Sequence, residues 1–151
     1  MKFFCKVATV LAVFTLFFAI TSCKNPSSSD DGMTKTKLET PTNFVVNSVV
    51  DLGMIDPAAE VNISIDYNRK FDGATYGILG YSTTNDSSKA IYDSYNSAVT
   101  VEAGKNTRTA TIQNLHLISG RKYYFWLKVT SSNNNISDSG WSNVAEFTYS
   151  E

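Results

Sequence analysis

Residues 117–131, LISGRKYYFWLKVTS, alternate with period two from Tyr123 onward. Tyr123, Phe125, Leu127 and Val129 fall on one side, and Tyr124, Trp126, Lys128 and Thr130 on the other. That is the mark of a strand with one buried face. Glu60–Tyr67 alternates as cleanly, with Val61, Ile63, Ile65 and Tyr67 set against Asn62, Ser64 and Asp66. Shorter segments of the same kind surround these two. A first strand begins at Pro41, with Phe44 and Val46 against Val45 and Asn47. Thr75–Thr84 forms another, its register blurred by Gly77 and Gly80, which suit a bulge. Ala90–Tyr95 reads as a short edge strand, and Ala98–Ala103 and Arg108–Leu115 as a hairpin closed by Gly104-Lys105-Asn106-Thr107. Val144 and Phe147 cannot share one alternation, so the last segment predicts a local irregularity. Turn signals separate the segments: Gly53 and Pro57, Asp72-Gly73, Ser119-Gly120, and Asn133-Asn134-Asn135. Short strands between turns, with no helical period and no long repeat, predict an all-β domain.

The N-terminus follows a different pattern. Lys2 and Lys6 precede an uncharged apolar run from Val7 to Ile20, shorter than the roughly 20 residues a membrane span requires. It reads as the core of an export signal. The run ends in Ile20-Thr21-Ser22-Cys23, which resembles the bacterial lipobox, an aliphatic residue and two small ones before cysteine. The resemblance implies a signal peptide over residues 1–22, cleaved before Cys23, and a diacylglyceryl thioether on the Cys23 thiol. Small residues let a membrane peptidase approach the backbone, and only a thiol at that site forms the thioether. Several acyl chains, at about 0.8 kcal/mol per buried CH₂, anchor a protein stably. The expected partner is thus the lipid bilayer, and the expected location the outer membrane or cell surface of a bacterium. Lys24 stands where some lipoproteins carry an inner-membrane retention aspartate. Residues 24–40, rich in Ser, Asp, Thr and Lys, read as a flexible polar linker with a mean span of roughly 20–25 Å. The domain then occupies residues 41–151.

Within it, the spacing Leu117-x-x-Gly120-x-x-Tyr123-x-Phe125-x-Leu127-x-Val129 resembles the corner and following strand of a fibronectin type III domain. Tyr81-Ser82-Thr83-Thr84 and Trp141-Ser142-Asn143 add to the likeness, which covers about Pro41 to Ser150. It implies a seven-stranded immunoglobulin-like antiparallel β-sandwich, in which the corner tyrosine packs inward and its hydroxyl bonds backbone upstream. Two features depart from the family. Ile65 or Tyr67 takes the place of the usual core tryptophan, and the connections 51–59 and 85–95 are long. A different immunoglobulin-like sandwich is the second choice.

Charge and chemistry narrow the functional classes. The net charge is −1, and loss of Lys2 and Lys6 leaves 11 basic against 14 acidic residues, which argues against nucleic acid. Cys5 and Cys23 both lie near the N-terminus and cannot staple the domain. No His/Cys metal set, cofactor motif or phosphate-binding loop is evident, so no cofactor is expected. His116, the one histidine, sits between two leucines and reads as structural. Calcium held by loop oxygens near Asn133–Asp138 is weighed against an ordinary Asn/Ser/Asp loop, and the loop is preferred. Catalysis is therefore not expected. Binding has better candidates: Tyr124, Trp126 and Lys128 on the outer face of the main strand, with Trp141 at its flank. Outward aromatics bury large area at low entropic cost against a protein partner or a sugar ring. They also stabilise sheets through cross-strand pairs, with Tyr81, Tyr92 or Tyr95 as mates. The reading is a lipid-anchored, non-catalytic module for protein or glycan binding and adhesion at the cell envelope. Its rivals are a structural part of an envelope assembly and an accessory carbohydrate-binding module.

Overall fold

The structure, a computed structural model, describes residues 35–53, 55–68 and 75–150. The export signal, the Cys23 lipidation and most of the linker lie outside the described residues. Among the described residues the regular structure is almost all strand. β2 (Thr42–Asp51), β3 (Ala58–Tyr67) and β6 (Gly104–Gln113) form a three-stranded antiparallel sheet in the order β2-β3-β6. A four-stranded antiparallel sheet has the order β5-β4-β7-β9, from β4 (Thr75–Ser82), β5 (Ala98–Thr100), β7 (Lys122–Ser131) and β9 (Ala145–Thr148). A short parallel pair, β1 (Thr36–Lys37) with β8 (Ile136–Ser137), forms a sheet of its own. One 3₁₀ turn, Ser87–Lys89, interrupts the β4–β5 connection.

The two sheets share one core. Val61, Ile63, Ile65, Ala110 and Ile112 from the first sheet cluster with Leu79, Val99, Phe125, Leu127 and Val129 from the second. The alternation read from β3 and β7 is observed: Val61, Ile63, Ile65 and Tyr67 are buried, as are Tyr123, Phe125, Leu127 and Val129. Each fully buried aliphatic or aromatic side chain of this kind stabilises the fold by about 1.5–3 kcal/mol. The arrangement is sandwich-like and all-β.

The corner before β7 is locked by a side chain. The Tyr123 hydroxyl donates to the His116 carbonyl at 2.8 Å and accepts from the Ile118 amide at 3.0 Å. Gly120, at φ +78°, takes a left-handed conformation that only glycine adopts without strain. The exposed ring of His116 therefore has no part in this corner; its backbone does.

Several expectations require correction. β4 has no bulge, since it pairs with β7 without a register shift from Thr75↔Ser131 to Ser82↔Tyr124. Gly77 instead faces the core, where a Cβ would stand 2.8 Å from Val101 Cγ2 and 3.1 Å from Leu127 Cδ2. The bulges lie in β2, between Thr42 and Val45 and between Val46 and Ser48. Residues 104–107 close no hairpin. They open β6, and the chain changes sheets at residues 101–103. Buried Asn106 holds that crossover, because its side chain accepts from the Glu102 amide and donates to the carbonyls of Glu102 and Gly104. Ala90–Tyr95 forms no strand beyond a single bridge, Ile91↔Tyr81. The linker, finally, ends earlier than its composition implies. Leu38 is 3% exposed within the core, and its amide donates to the Ser137 carbonyl. One leucine among polar residues carries no periodicity, which is why the sequence pattern passes over it.

Candidate functional site

The outer face of the four-stranded sheet is set by the register of its strands. Along β7, Thr130 stands opposite Tyr76, Lys128 opposite Ile78, Trp126 opposite Gly80 and Tyr124 opposite Ser82. Ala98 of β5 extends the row at Ile78. This face carries the expected outward residues, but it is not uniformly open.

Its middle is covered. Trp126 is 4% exposed, although it points away from the core. The cover is held from the edge of β7, where residues 139–142 run alongside without strand geometry. The Ser139 hydroxyl accepts from the Val129 amide and the Ser142 hydroxyl from the Leu127 amide, so two side chains replace missing backbone donor–acceptor pairs. Between these serines Trp141 turns across the face and lies over Gly80, where a Cβ would meet Trp141 Cη2 at 2.9 Å and Ala90 Cβ at 3.2 Å. Glycine at position 80 is thus a packing requirement: it lets an indole rest on the sheet. The neighbouring Tyr124 stacks on Trp126 at 6.4 Å between ring centroids. Lys122, 2.8 Å from Glu146, lies over the Tyr124 ring, and hydrogen bonding to Glu146 raises the Lys122 pKa.

Trp126 is therefore corrected from a ligand-facing residue to a buried one. Period two distinguishes the two faces of a sheet, but it does not show what folds back over either. Tyr81, offered as a cross-strand mate on this outer face, is also reassigned. It packs in the core beside Phe125, and burial raises its pKa.

Beyond Trp141 the face opens into a cleft of about 450 Å³, within the roughly 300–1,000 Å³ of small-ligand sites. Ile78, Ala98, Lys128 and Thr130 form its floor. Tyr76, Tyr92, Tyr95 and Asp138 rise around it. The Lys128 side chain is only 16% exposed, and its ammonium sits 3.2 Å from Asp138, 4.5 Å over the Tyr92 ring and 5.3 Å over the Trp141 ring. Tyr92 meets Trp141 edge to face at 5.5 Å. Thr130 donates to the other Asp138 carboxylate oxygen at 2.6 Å. The cleft is thus lined by aromatic faces around an internally paired cation and anion.

Tyr95 forms the rim. It is 92% exposed, yet the turn that carries it is tightly bonded. The Asp93 carboxylate accepts from the Tyr95 and Asn96 amides and from the Asn96 side chain. The hydroxyl of fully buried Ser97 donates to the Asp93 carbonyl and accepts from the Asp93 amide. The Tyr95 amide first, then the Asn96 side chain and amide, hold the Asp93 carboxyl below the usual aspartate range. The turn thus fixes the backbone that carries the ring before anything binds, which lowers the ordering cost of binding.

Of the four binding residues expected from sequence, Lys128 lines the cleft and Trp141 walls the Lys128 pocket, while Tyr124 and Trp126 lie along the covered part. The sequence does not mark Tyr76 or Asp138 as binding residues: the glycines blur the phase of Tyr76, and Asp138 stands out only as one end of the loop weighed for calcium. Asn133, in the loop weighed for calcium, accepts from the Asn135 amide, and among the described residues no group of three His, Cys, Asp or Glu side chains could hold a metal. No helix among the described residues is long and apolar enough to cross a membrane.

No protein-family model matches the chain, and no curated protein matches it. Among solved structures it is similar to the sensor domain of the anti-sigma factor RsgI4 from Pseudobacteroides cellulosolvens, with a TM-score of 0.40 and 16% sequence identity. That match covers 71% of this chain and 92% of the other.

Proposed function

We propose that this protein is an exported, lipid-anchored binding module. Acylated Cys23 holds it to a bacterial membrane, and a fibronectin type III-like domain presents the cleft to an envelope or extracellular partner. The strand orders β2-β3-β6 and β5-β4-β7-β9 and the Tyr123 corner support the fibronectin type III-like assignment. The lipobox-like Ile20-Thr21-Ser22-Cys23 supports the anchor. The module acts by binding and adhesion, without catalysis.

The observation that carries the binding reading is Tyr95, a large ring held in water by a fully bonded turn beside an open aromatic cleft. Unpaired surface aromatics are ordinary, but a preformed platform adjoining a cleft is the anatomy of a recognition site. The test is photo-crosslinking in cells, with a benzoylphenylalanine placed at Tyr95 and, as a control, at Thr109 on the opposite sheet. An adduct formed at residue 95 and absent at residue 109 supports the reading; identical patterns at the two positions reject it. Palmitate labelling of wild type and Cys23→Ser tests the anchor separately, and an unlabelled wild type rejects it.

A further inference from the structure

We propose that the cleft takes a neutral carbohydrate, with a sugar ring stacked between the Tyr92 and Tyr95 sides and its hydroxyls bonded by Asp138 and Lys128. This deepens, and rests on, the reading of the cleft as a binding site. The charges argue first. Lys128 and Asp138 satisfy each other at 3.2 Å, so the cleft offers no unpaired charge to a charged ligand. A cationic ligand would meet the like charge of the Lys128 ammonium in the same cleft. A carboxylate or phosphate ligand would have to displace Asp138 from the same lysine.

The remaining hydrogen-bonding capacity argues next. Each Asp138 oxygen has one partner within the protein, Thr130 or Lys128, and a carboxylate accepts about four bonds in all. The ammonium has three N–H donors, and Asp138 takes one of them. Adjacent acceptors and donors in a fixed pair suit neighbouring hydroxyl groups, each of which both donates and accepts. Ring faces at Tyr76, Tyr92 and Tyr95 supply apolar area for the C–H faces of a pyranose. The aliphatic floor is slight, since Ile78 is buried, so the tyrosine rings carry most of the apolar contact area. Polar groups at the centre and aromatic faces at the rim match an amphipathic ring.

The test is calorimetric titration of the full-length protein in detergent micelles with neutral hexasaccharides of β-1,4-linked glucose, xylose, mannose and N-acetylglucosamine, and with poly-L-proline as the competing class. Binding of at least one hexasaccharide is expected, changed little by added salt because no net charge is exchanged. Tyr95→Ala and Asp138→Asn should each weaken it about tenfold or more, as loss of an anchoring contact does, and Thr109→Ala should leave it intact. Tyr95 is in water, so its variant folds. Absence of heat with every hexasaccharide up to millimolar concentration overturns the carbohydrate assignment, as does saccharide binding that both cleft variants retain. Cleft-dependent titration by poly-L-proline alone, or a protein adduct at residue 95, overturns the sugar class while the binding module stands. Identical adducts at residues 95 and 109 would remove both.

Discussion

The Lys128 ammonium lies 3.2 Å from the Asp138 carboxylate, and this ammonium gathers three parts of the chain: β7, the β4–β5 connection and the β8–β9 connection. Lys128 comes from the centre of β7, and Asp138 follows β8, the strand that pairs with β1. Tyr92 and Trp141 close over the same ammonium from the β4–β5 connection and from the segment before β9. The cation therefore keeps the covered and the open halves of the sheet face in a fixed relation. Because the Asp138 side chain is about half exposed, the pair adds little to stability, of the order of 0–1 kcal/mol. Its importance is geometric.

Trp126 belongs to the packing of the domain. Trp126→Ala should cost about 3–5 kcal/mol, the range for removing a large buried aromatic. Urea denaturation of wild type and variant measures it. A variant as stable as wild type would show that the cover formed by Trp141 and Ala90 does not seal this position.

Gly80→Ala tests the cover directly. The added methyl meets Trp141 Cη2 at 2.9 Å and Ala90 Cβ at 3.2 Å, so the indole must shift outward. Overpacking of this kind costs about 1–3 kcal/mol. Because Trp141 also flanks Lys128, the indole fluorescence of the variant should shift to the red as the ring meets water. A variant with unaltered emission and stability would mean that the indole has room that this geometry denies it.

The difference between what the sequence disclosed and what it hid has a physical cause. β3 and β7 were legible because each has one face in a continuous core, so burial repeats with the pleat. Tyr123 was legible because its spacing from Gly120 and Leu117 is a local requirement of the corner. The cleft depends on partners far apart along the chain, Trp141 with Gly80 and Tyr92 with Lys128, and on Asp138 reaching back across a loop to Thr130. Nothing in the local pattern of β7 reveals that Trp141 crosses the sheet face over Gly80, the residue opposite Trp126. The change of sheet at residues 101–103 was hidden for a related reason, since Gly104-Lys105-Asn106-Thr107 has turn composition but Asn106 spends its amide on holding the crossover. Turn residues alone do not tell a hairpin from a jump between sheets.

Tyr123→Phe removes one hydroxyl and two hydrogen bonds, to the His116 carbonyl and from the Ile118 amide. The ring still fills the core, so the change isolates the polar contribution. A loss of about 1–3 kcal/mol is expected, from two part-buried hydrogen bonds worth about 0.5–1.5 kcal/mol each. The corner lies outside the cleft, so crosslinking at residue 95 should be unchanged. Equal stability of wild type and variant in urea would show that water replaces the hydroxyl at no cost.

Leu38 gives the tether a fixed end. Its side chain is in the core and its amide bonds Ser137, so deletion of residues up to Leu38 should destabilise the domain, and Leu38→Ala should cost about 2–5 kcal/mol. The loss should loosen the segment that carries Asp138, because β1 pairs with the two residues before it. Amide exchange at Ser137 and Asp138 reports this. Fast exchange at Ser137 already in wild type would place the end of the flexible tether beyond Leu38.

Asp93 sets the acid limit of the rim. The Tyr95 amide, the Asn96 side chain and the Asn96 amide all donate to its carboxylate, so its pKa in the fold is lowered. A group shifted down contributes stability that is present above its unfolded value, about 3.9, and is lost as pH falls through the folded value. The turn at residues 93–97 should therefore hold unchanged from pH 8 to pH 5 and loosen only below about pH 4. Amide chemical shifts of Tyr95 and Asn96 follow it locally. Asp86, lowered by its hydrogen bonds to Ser88, titrates in the same window but reports at the Ser88 amide. Asp93→Ala should loosen the turn at every pH, whereas Asp93→Asn retains an acceptor for the Tyr95 amide and should flatten the acid response. Loosening of wild type between pH 5 and pH 8 would mean that another group holds Tyr95 in place.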